Sequence, residues 1–299
     1  MMINVITRNK TTFIFGIIIL IVTSLQNLYT IVQIRIETQR LIWTYIDQTS
    51  IANAQKISRW LDNKAQVIRS TKAAFNLDDS SIPYLTQSLQ AGGFSSIYVA
   101  TDSGKIIGSE ANTLPASQRP WFKAAKNDGG LIISTPYIDA STGKPTITIA
   151  EPFQRSNTKG VIIGDILIDV MIRDIFDLMS DDAYSILVDS KGNIIAHPDT
   201  SLILKSVTVI SPELTPEKIK HIVDDGTISE IMINNKSSAF DLKQVPNSDW
   251  YYGIVVDNDT SYQAVKRMFF YALLQGILIL LLIIIFGYLI NSKTEKLKN

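Results

Sequence analysis

The sequence predicts an α+β fold: two similar modules of strands and helices on a long N-terminal helix, flanked by two transmembrane helices. Three observations predict it. Two long apolar runs lie near the ends of the chain, a helical periodicity fills residues 33–75, and one strand-turn-strand pattern occurs twice between them.

The apolar runs come first because they decide the class. From Met268 to Ile290, MFFYALLQGILILLLIIIFGYLI holds no charge and one interior amide, Gln275. At about 1.5 Å per residue it is long enough to cross ~30 Å of hydrocarbon. The earlier run, Phe13 to Val32, is interrupted by Gln26 and Asn27. A cleaved signal peptide would use Arg8 and Lys10 as its charged region and Ile14 to Val22 as its apolar core. No A-x-A-like site follows, and the pattern continues into a helical stretch, which favours an uncut anchor.

These runs divide the chain into an N-terminal tail (1–12), a first span (13–32), a stalk helix (33–75), two modules (76–182 and 183–257), a linker (258–267), a second span (268–290) and a tail (291–299). Five basic residues lie on one side of the spans (Arg8, Lys10, Lys293, Lys296, Lys298) and four on the other (Arg35, Arg40, Lys266, Arg267), which only leans towards cytoplasmic termini. The segment from Arg35 to Val265 then lies outside, with 21 basic and 27 acidic residues, a balance that gives no reason to expect attraction to an anionic membrane surface.

The stalk pattern places Ile36, Trp43, Ile46, Ile57, Leu61, Ala65 and Ile68 at spacings near three and four or their sums, without proline or glycine. It reads as an amphipathic helix packed on its own domain, or as a dimerisation stripe. After NLDDSSIP the period changes. SSIYVATDSGKIIGSE (Ser95 to Glu110) is strand, turn, strand, and AYSILVDSKGNIIAHPD (Ala183 to Asp199) repeats the D-S-x-G turn some 88 residues later, setting Gly104 opposite Gly192. Further on, Ser141 to Pro145 form a turn, Thr146 to Ala150 alternate as a half-buried strand, and KGVIIGDILID (Lys159 to Asp169) is a buried strand interrupted by one carboxylate, Asp165. An unpaired buried carboxylate costs several kcal/mol, so Asp165 needs donors or a charge partner.

The balanced composition excludes several classes. Lys and Arg number 28 and Asp and Glu 28, which gives no basic footprint for nucleic acid. With no cysteine there are no disulfides, thiolate metal sites or cysteine nucleophiles. His197 and His221, the only histidines, are 24 residues apart and offer little basis for zinc. His197 reads as a turn residue. TGKPT (Thr142 to Thr146) lacks the upstream glycine of a phosphate loop, and the aspartate pairs at Asp181 and Asp224 read as solvated loops. No esterase, zincin or dinucleotide motif is present, so the sequence predicts no enzyme, no cofactor and no metal.

Five marks in order resemble the double Cache extracytoplasmic sensor domain of bacterial chemoreceptors, histidine kinases and diguanylate cyclases. They are RPWF (Arg119 to Phe122), YID (Tyr137 to Asp139), GDILID (Gly164 to Asp169), LVDSKGNIIAHPD (Leu187 to Asp199) and SDWYYGIVV (Ser248 to Val256). The resemblance covers roughly Gln33 to Val265. It implies two PAS-like modules, each a curved antiparallel sheet with outer helices, the membrane-distal one holding the ligand, in a two-pass protein of the bacterial inner membrane. In the amino-acid-binding subclass, R-x-W-Y, Y-x-D and a later strand aspartate form the site. Here they correspond to Arg119, Trp121, Phe122, Tyr137, Asp139 and Asp165. Phe122 stands where the subclass has tyrosine, and Leu114 replaces another tyrosine.

On that resemblance, Arg119 holds a ligand carboxylate through its planar fork of donors, Asp139 and Asp165 hold an ammonium, and the aromatics exclude water. The bland alternative for the residues themselves is a permanent ion pair of Arg119 with Asp139 or Asp165. The expected role is signal transduction as a small-molecule sensor acting as a homodimer. The nine residues after Ile290 are too few for a signalling domain, so output is expected through a separate protein or from a longer receptor of which this is a remnant. The competing expectation is a protein-docking module without a small ligand.

Overall fold

The computed structural model describes residues 10–75, 79–108, 118–176 and 183–296. It divides into two units, residues 46–257 and the residues on either side. Helix α1, Lys10–Ala74, runs through both. The expected boundary between span and stalk at residue 33 is no break, because the helix holds no proline and its one glycine, Gly16, lies near the start.

In the unit of residues 46–257, Ile46, Ala54, Ile57, Leu61, Ala65 and Ile68 of α1 are buried at spacings of helical period, so this stripe is covered by the unit's own sheets. Ile36, expected on the same stripe, belongs to the other unit and is exposed.

The first sheet contains β1 (Ser96–Thr101), β2 (Ile106–Gly108), β3 (Ile132–Ile133), β4 (Tyr137–Ile138), β5 (Pro145–Arg155) and β6 (Thr158–Leu167), in the order β2-β1-β6-β5-β3 with β4 also beside β5. The second contains β7 (Ala183–Asp189), β8 (Ile194–Ala196), β9 (Ser229–Ile233), β10 (Lys236–Gln244) and β11 (Trp250–Asp257), in the order β8-β7-β11-β10-β9. All pairings are antiparallel, and in each sheet the last strand lies between the first and the next to last. The repeated D-S-x-G turn explains the shared beginning. Gly104 at φ +87° and Gly192 at φ +80° adopt the left-handed conformation that glycine takes without strain. Each donates its N–H back to a strand end, Thr101 O at 2.9 Å and Asp189 O at 3.0 Å.

Helices α2 (Ile82–Gly92), α3 (Pro120–Asp128), α4 (Ile168–Ile175) and α5 (Pro216–Asp225) complete this unit. Helix α3 starts with Pro120 in the first turn, where its missing N–H costs nothing, and stops at Gly129, φ +72°.

Two expectations change here. Thr146 to Ala150 do not alternate in burial; all five are buried, because α1 covers one face of the sheet and α3 the other. Asp224 is exposed but sits in the last turn of α5 instead of a loop, since the helix continues to its Gly226 cap. His197 does hold a turn, its Nδ1 accepting from the Asp199 N–H at 2.9 Å. Asp181 and Leu114 lie outside the described residues.

The second unit contains the first part of α1, α6 (Asn258–Ser261) and α7 (Gln263–Lys296). Residues expected as a linker are thus helical, with Lys266 Nζ 2.8 Å from Asp259 Oδ1. Both long helices carry windows apolar enough to cross a membrane, of mean hydropathy 1.9 and 2.8. Gln275, the amide that interrupts the second run, accepts from Asn27 Nδ2 at 3.2 Å, so the polar groups of the two apolar helices meet each other.

Replacement of the fully buried Ile57 by alanine is expected to destabilise the 46–257 unit by about 2–5 kcal/mol. Chemical denaturation followed by circular dichroism measures it; a loss below about 0.5 kcal/mol, the range of ordinary surface substitutions, would contradict the covered stripe.

Candidate ligand-binding site

The central strands of the first sheet place Ser96, Asp165 and Thr148 side by side in register across β1, β6 and β5. Beyond them on the same face lie Tyr98, Ala100, Val161, Ile163 and Ala150, an apolar floor covered by Trp121, Phe122 and Ala125 of α3. Helix α3 therefore delivers the aromatic pair by packing, and Arg119 by position. Arg119 is the extended residue just before the helix, 8% exposed.

Asp165 is 6% exposed. Ser96 Oγ donates to Oδ2 at 2.8 Å and Thr148 Oγ1 donates to Oδ1 at 2.6 Å. Because Thr148 spends its only hydroxyl proton on the carboxylate, the 2.7 Å contact between Tyr137 Oη and Thr148 Oγ1 has tyrosine as donor. A relay of donors thus runs from Tyr137 through Thr148 to Asp165. Burial pushes the Asp165 carboxyl up to about 6, with Asp139 adding to the rise, while the two hydroxyls and the Arg119 charge pull against it. Burial, and then the Asp165 charge, raises the Tyr137 phenol above its ordinary value.

Asp139 behaves in the opposite way. Burial would raise its carboxyl, but hydrogen bonds from Ser141 and Thr142 outweigh it and hold the group below the ordinary range. Ser141 N donates at 3.0 Å and Thr142 N at 2.9 Å, and both hydroxyls donate as well. All four bonds converge on Oδ1.

The aromatic wall is close-packed. Trp121 and Phe122 have ring centroids 6.3 Å apart, and Tyr98 meets Trp121 edge-on at 6.5 Å. Trp121 is 3% exposed, and its indole N–H lies near the Tyr137 hydroxyl without forming a full hydrogen bond. All six residues expected at the site are therefore drawn together, through packing of Trp121, Phe122 and Tyr137 and through the fields of Arg119 and Asp139 on Asp165.

Sequence reasoning missed Ser96 and Thr148, which hold Asp165, and Ser141 and Thr142, which hold Asp139. The second pair was legible: aspartate followed by A-S-T-G (Ala140 to Gly143) is the composition of a side-chain-capped turn. The first pair depends on register. In the second sheet the D-S-x-G turn aligns Tyr184 with Ser96, and its register partners are Val255 and Phe240. No carboxylate stands at the corresponding place there.

The raised carboxyl has a consequence for stability. Its folded value lies above the unfolded one, so its contribution is fully present below about pH 4 and is lost as pH rises to about 6 and beyond. A loss on the order of 2–3 kcal/mol corresponds to that displacement. Asp165→Asn is expected to remove this dependence and to raise the melting temperature of the ligand-free protein at pH 7.5. A pH series of thermal melts checks it; an Asp165→Asn protein with the wild-type slope would contradict the assignment.

Known proteins resemble this chain in sequence and in fold. The chain is 30% identical over 229 residues to the methyl-accepting chemotaxis protein PscA of Pseudomonas syringae pv. tomato, covering 73% of this chain and 36% of that one. It is 25% identical over 264 residues to the methyl-accepting chemotaxis protein PctB of Pseudomonas aeruginosa, covering 85% and 41%. The chain thus spans roughly two fifths of the length of these relatives. The crystal structure of the ligand-binding domain of the Pseudomonas fluorescens chemoreceptor CtaA in complex with L-serine matches with a TM-score of 0.62 and 25% identity, over 74% of this chain and 99% of that one. A family model for the Cache domain matches residues 33–265, and the chain belongs to the Cache domain family.

Proposed function

We propose that this chain is a membrane-anchored sensor that binds a free amino acid on the first sheet, with Arg119 taking the ligand carboxylate and Asp139 and Asp165 its ammonium. The observation that carries this reading is the burial of one cation, Arg119, and two carboxylates, Asp139 and Asp165, close enough for Arg119 and Asp139 both to act on the Asp165 carboxyl, beside the packed aromatics Trp121, Phe122 and Tyr137. A zwitterion brings the complementary charges in the complementary order. Asp139 Oδ2, free of the four bonds that converge on Oδ1, faces this role fully ionised. Phe122 supplies apolar wall and no hydroxyl. The likeness to a chemoreceptor domain in complex with L-serine supports the ligand class.

In this reading residues 13–32 and 268–290 are membrane spans, residues 76–182 and 183–257 are a distal and a proximal Cache module, and the modules lie outside a bacterial inner membrane. The protein works as a homodimer, with output through further protein in cis or a separate partner. The two windows of mean hydropathy 1.9 and 2.8 on either side of the Cache match support this arrangement. The common strand order of the two sheets supports the paired modules.

A thermal-shift and calorimetric screen against the twenty coded amino acids tests the function. A ligand at about 100 times its dissociation constant is expected to add roughly 2.7 kcal/mol of stability. Arg119→Ala and Asp165→Asn are expected to weaken binding at least about 100-fold, the loss of one charge-assisted pair of about 3 kcal/mol. Affinity should also fall as pH drops through about 6, because a protonated Asp165 no longer attracts an ammonium. A folded protein that binds no amino acid, or binding untouched by both substitutions, would refute the assignment.

A further inference from the structure

We propose that Gly164 and Phe94 couple occupancy of the Asp165 site to helix α1, so that a ligand on one face of the first sheet moves the helix on the other. The inference rests on the reading of Asp165 as the ammonium site and adds to it the route by which binding is felt.

Consecutive strand residues point to opposite faces, so Asp165 faces the site and Gly164 faces α1. A methyl group at Gly164 would lie 2.6 Å from Ile68 Cδ1 and 2.6 Å from the Phe94 ring. Strand and helix therefore touch at a point where only a hydrogen fits. The chain just before β1 joins the same two places. Ser96 Oγ donates to the Asp165 carboxylate at 2.8 Å, and Ser95 N donates to the Asp165 carbonyl at 2.8 Å. Phe94, one residue earlier, fills the space against Gly164 and Gly92. Lys64 of α1, 8% exposed, fastens this segment by donating to Gly92 O at 2.5 Å, with its ammonium 5.5 Å from the Phe94 ring centre. Residues 92–96 are thus held to α1 at one end and to Asp165 at the other.

An ammonium arriving at Asp165 offers a charge-assisted bond in competition with the neutral one from Ser96. Ser96 must yield or share, and the close packing of Phe94 and Ile68 against Gly164 passes the shift on to α1. The seat of α1 on the second sheet is different in kind. Asn53 donates to Tyr252 Oη at 3.0 Å, and Lys243 bridges Asp47 at 2.7 Å and Asp241 at 3.2 Å. Ser50 Oγ and the Asp241 carboxylate are buried there without a full hydrogen bond. Interlocked apolar contacts grip the helix at Gly164, and exchangeable polar ones allow it to re-seat below.

The test uses the full chain in lipid nanodiscs, L-serine and the other nineteen coded amino acids as probes, calorimetry for affinity and hydrogen exchange of residues 61–72 for the helix. In wild type, the amino acid that binds is expected to change exchange in 61–72. Gly164→Ala should keep affinity within about threefold while shrinking that change by at least half, and adding Ile68→Val and Phe94→Leu, which make room for the methyl, should restore it. If Gly164→Ala does not fold, Phe94→Leu alone serves, with binding retained and the helix response reduced. Wild-type binding without any change in 61–72, an undiminished response in the variants, or a loss of affinity above tenfold in Gly164→Ala or Phe94→Leu would overturn the coupling while leaving the site itself standing. A folded wild type that binds none of the twenty would instead overturn the reading of the site, and the coupling with it.

Discussion

A carboxylate in the middle of a sealed sheet is the constraint around which this protein is arranged. Asp165 lies on the central strand of the first sheet, between Gly164 and Ile166 in the chain and between Ser96 and Thr148 across it, and is almost wholly out of water. A carboxylate moved there without partners would cost several kcal/mol. Two neutral hydroxyls offset part of that cost, which is why the carboxyl is displaced upward to about 6 instead of downward. A group that only needed to be stable would have been replaced by an aliphatic residue. The strained ionisation makes sense where a cation completes the site.

The rest follows from where that strand sits. Strand β6 has neighbours on both sides, so the register of β1 and β5 decides which hydroxyls reach Asp165. Helix α3 closes the same face, and its proline start leaves Arg119 extended at the rim instead of wound into the helix. The second sheet repeats the frame and omits the chemistry. Tyr184, Val255 and Phe240 occupy the register of Ser96, Asp165 and Thr148, so its corresponding face is packed with apolar groups under α5. In the proposed function one frame serves recognition in the first sheet and support in the second.

Much of this was legible in the sequence because it rests on local signals. The D-S-x-G repeat placed both hairpins, since only glycine sits comfortably at the positive φ of Gly104 and Gly192. The stripe from Ile46 to Ile68 announced a covered helix. Asp165 stood out as the one charge in the aliphatic run from Val161 to Ile168. The partners of that charge were not legible, because Ser96 and Thr148 are 69 and 17 residues away from it and only strand pairing brings them together. The reading of Thr146 to Ala150 as half-buried failed for the same reason: alternation reports one covered face, and here helices cover both. The helical state of residues 258–267 escaped notice because a short polar stretch carries too few apolar positions to show a period.

The proposed site reads both ends of a zwitterion. The most direct measurement is calorimetric binding of an amino acid beside its two halves, with L-alanine, ethylamine and propionate as the simplest set if L-alanine binds. The account predicts that each half loses at least about 100-fold in affinity, since each forgoes one of the two charge-assisted contacts. Propionate or ethylamine binding as tightly as L-alanine would contradict it.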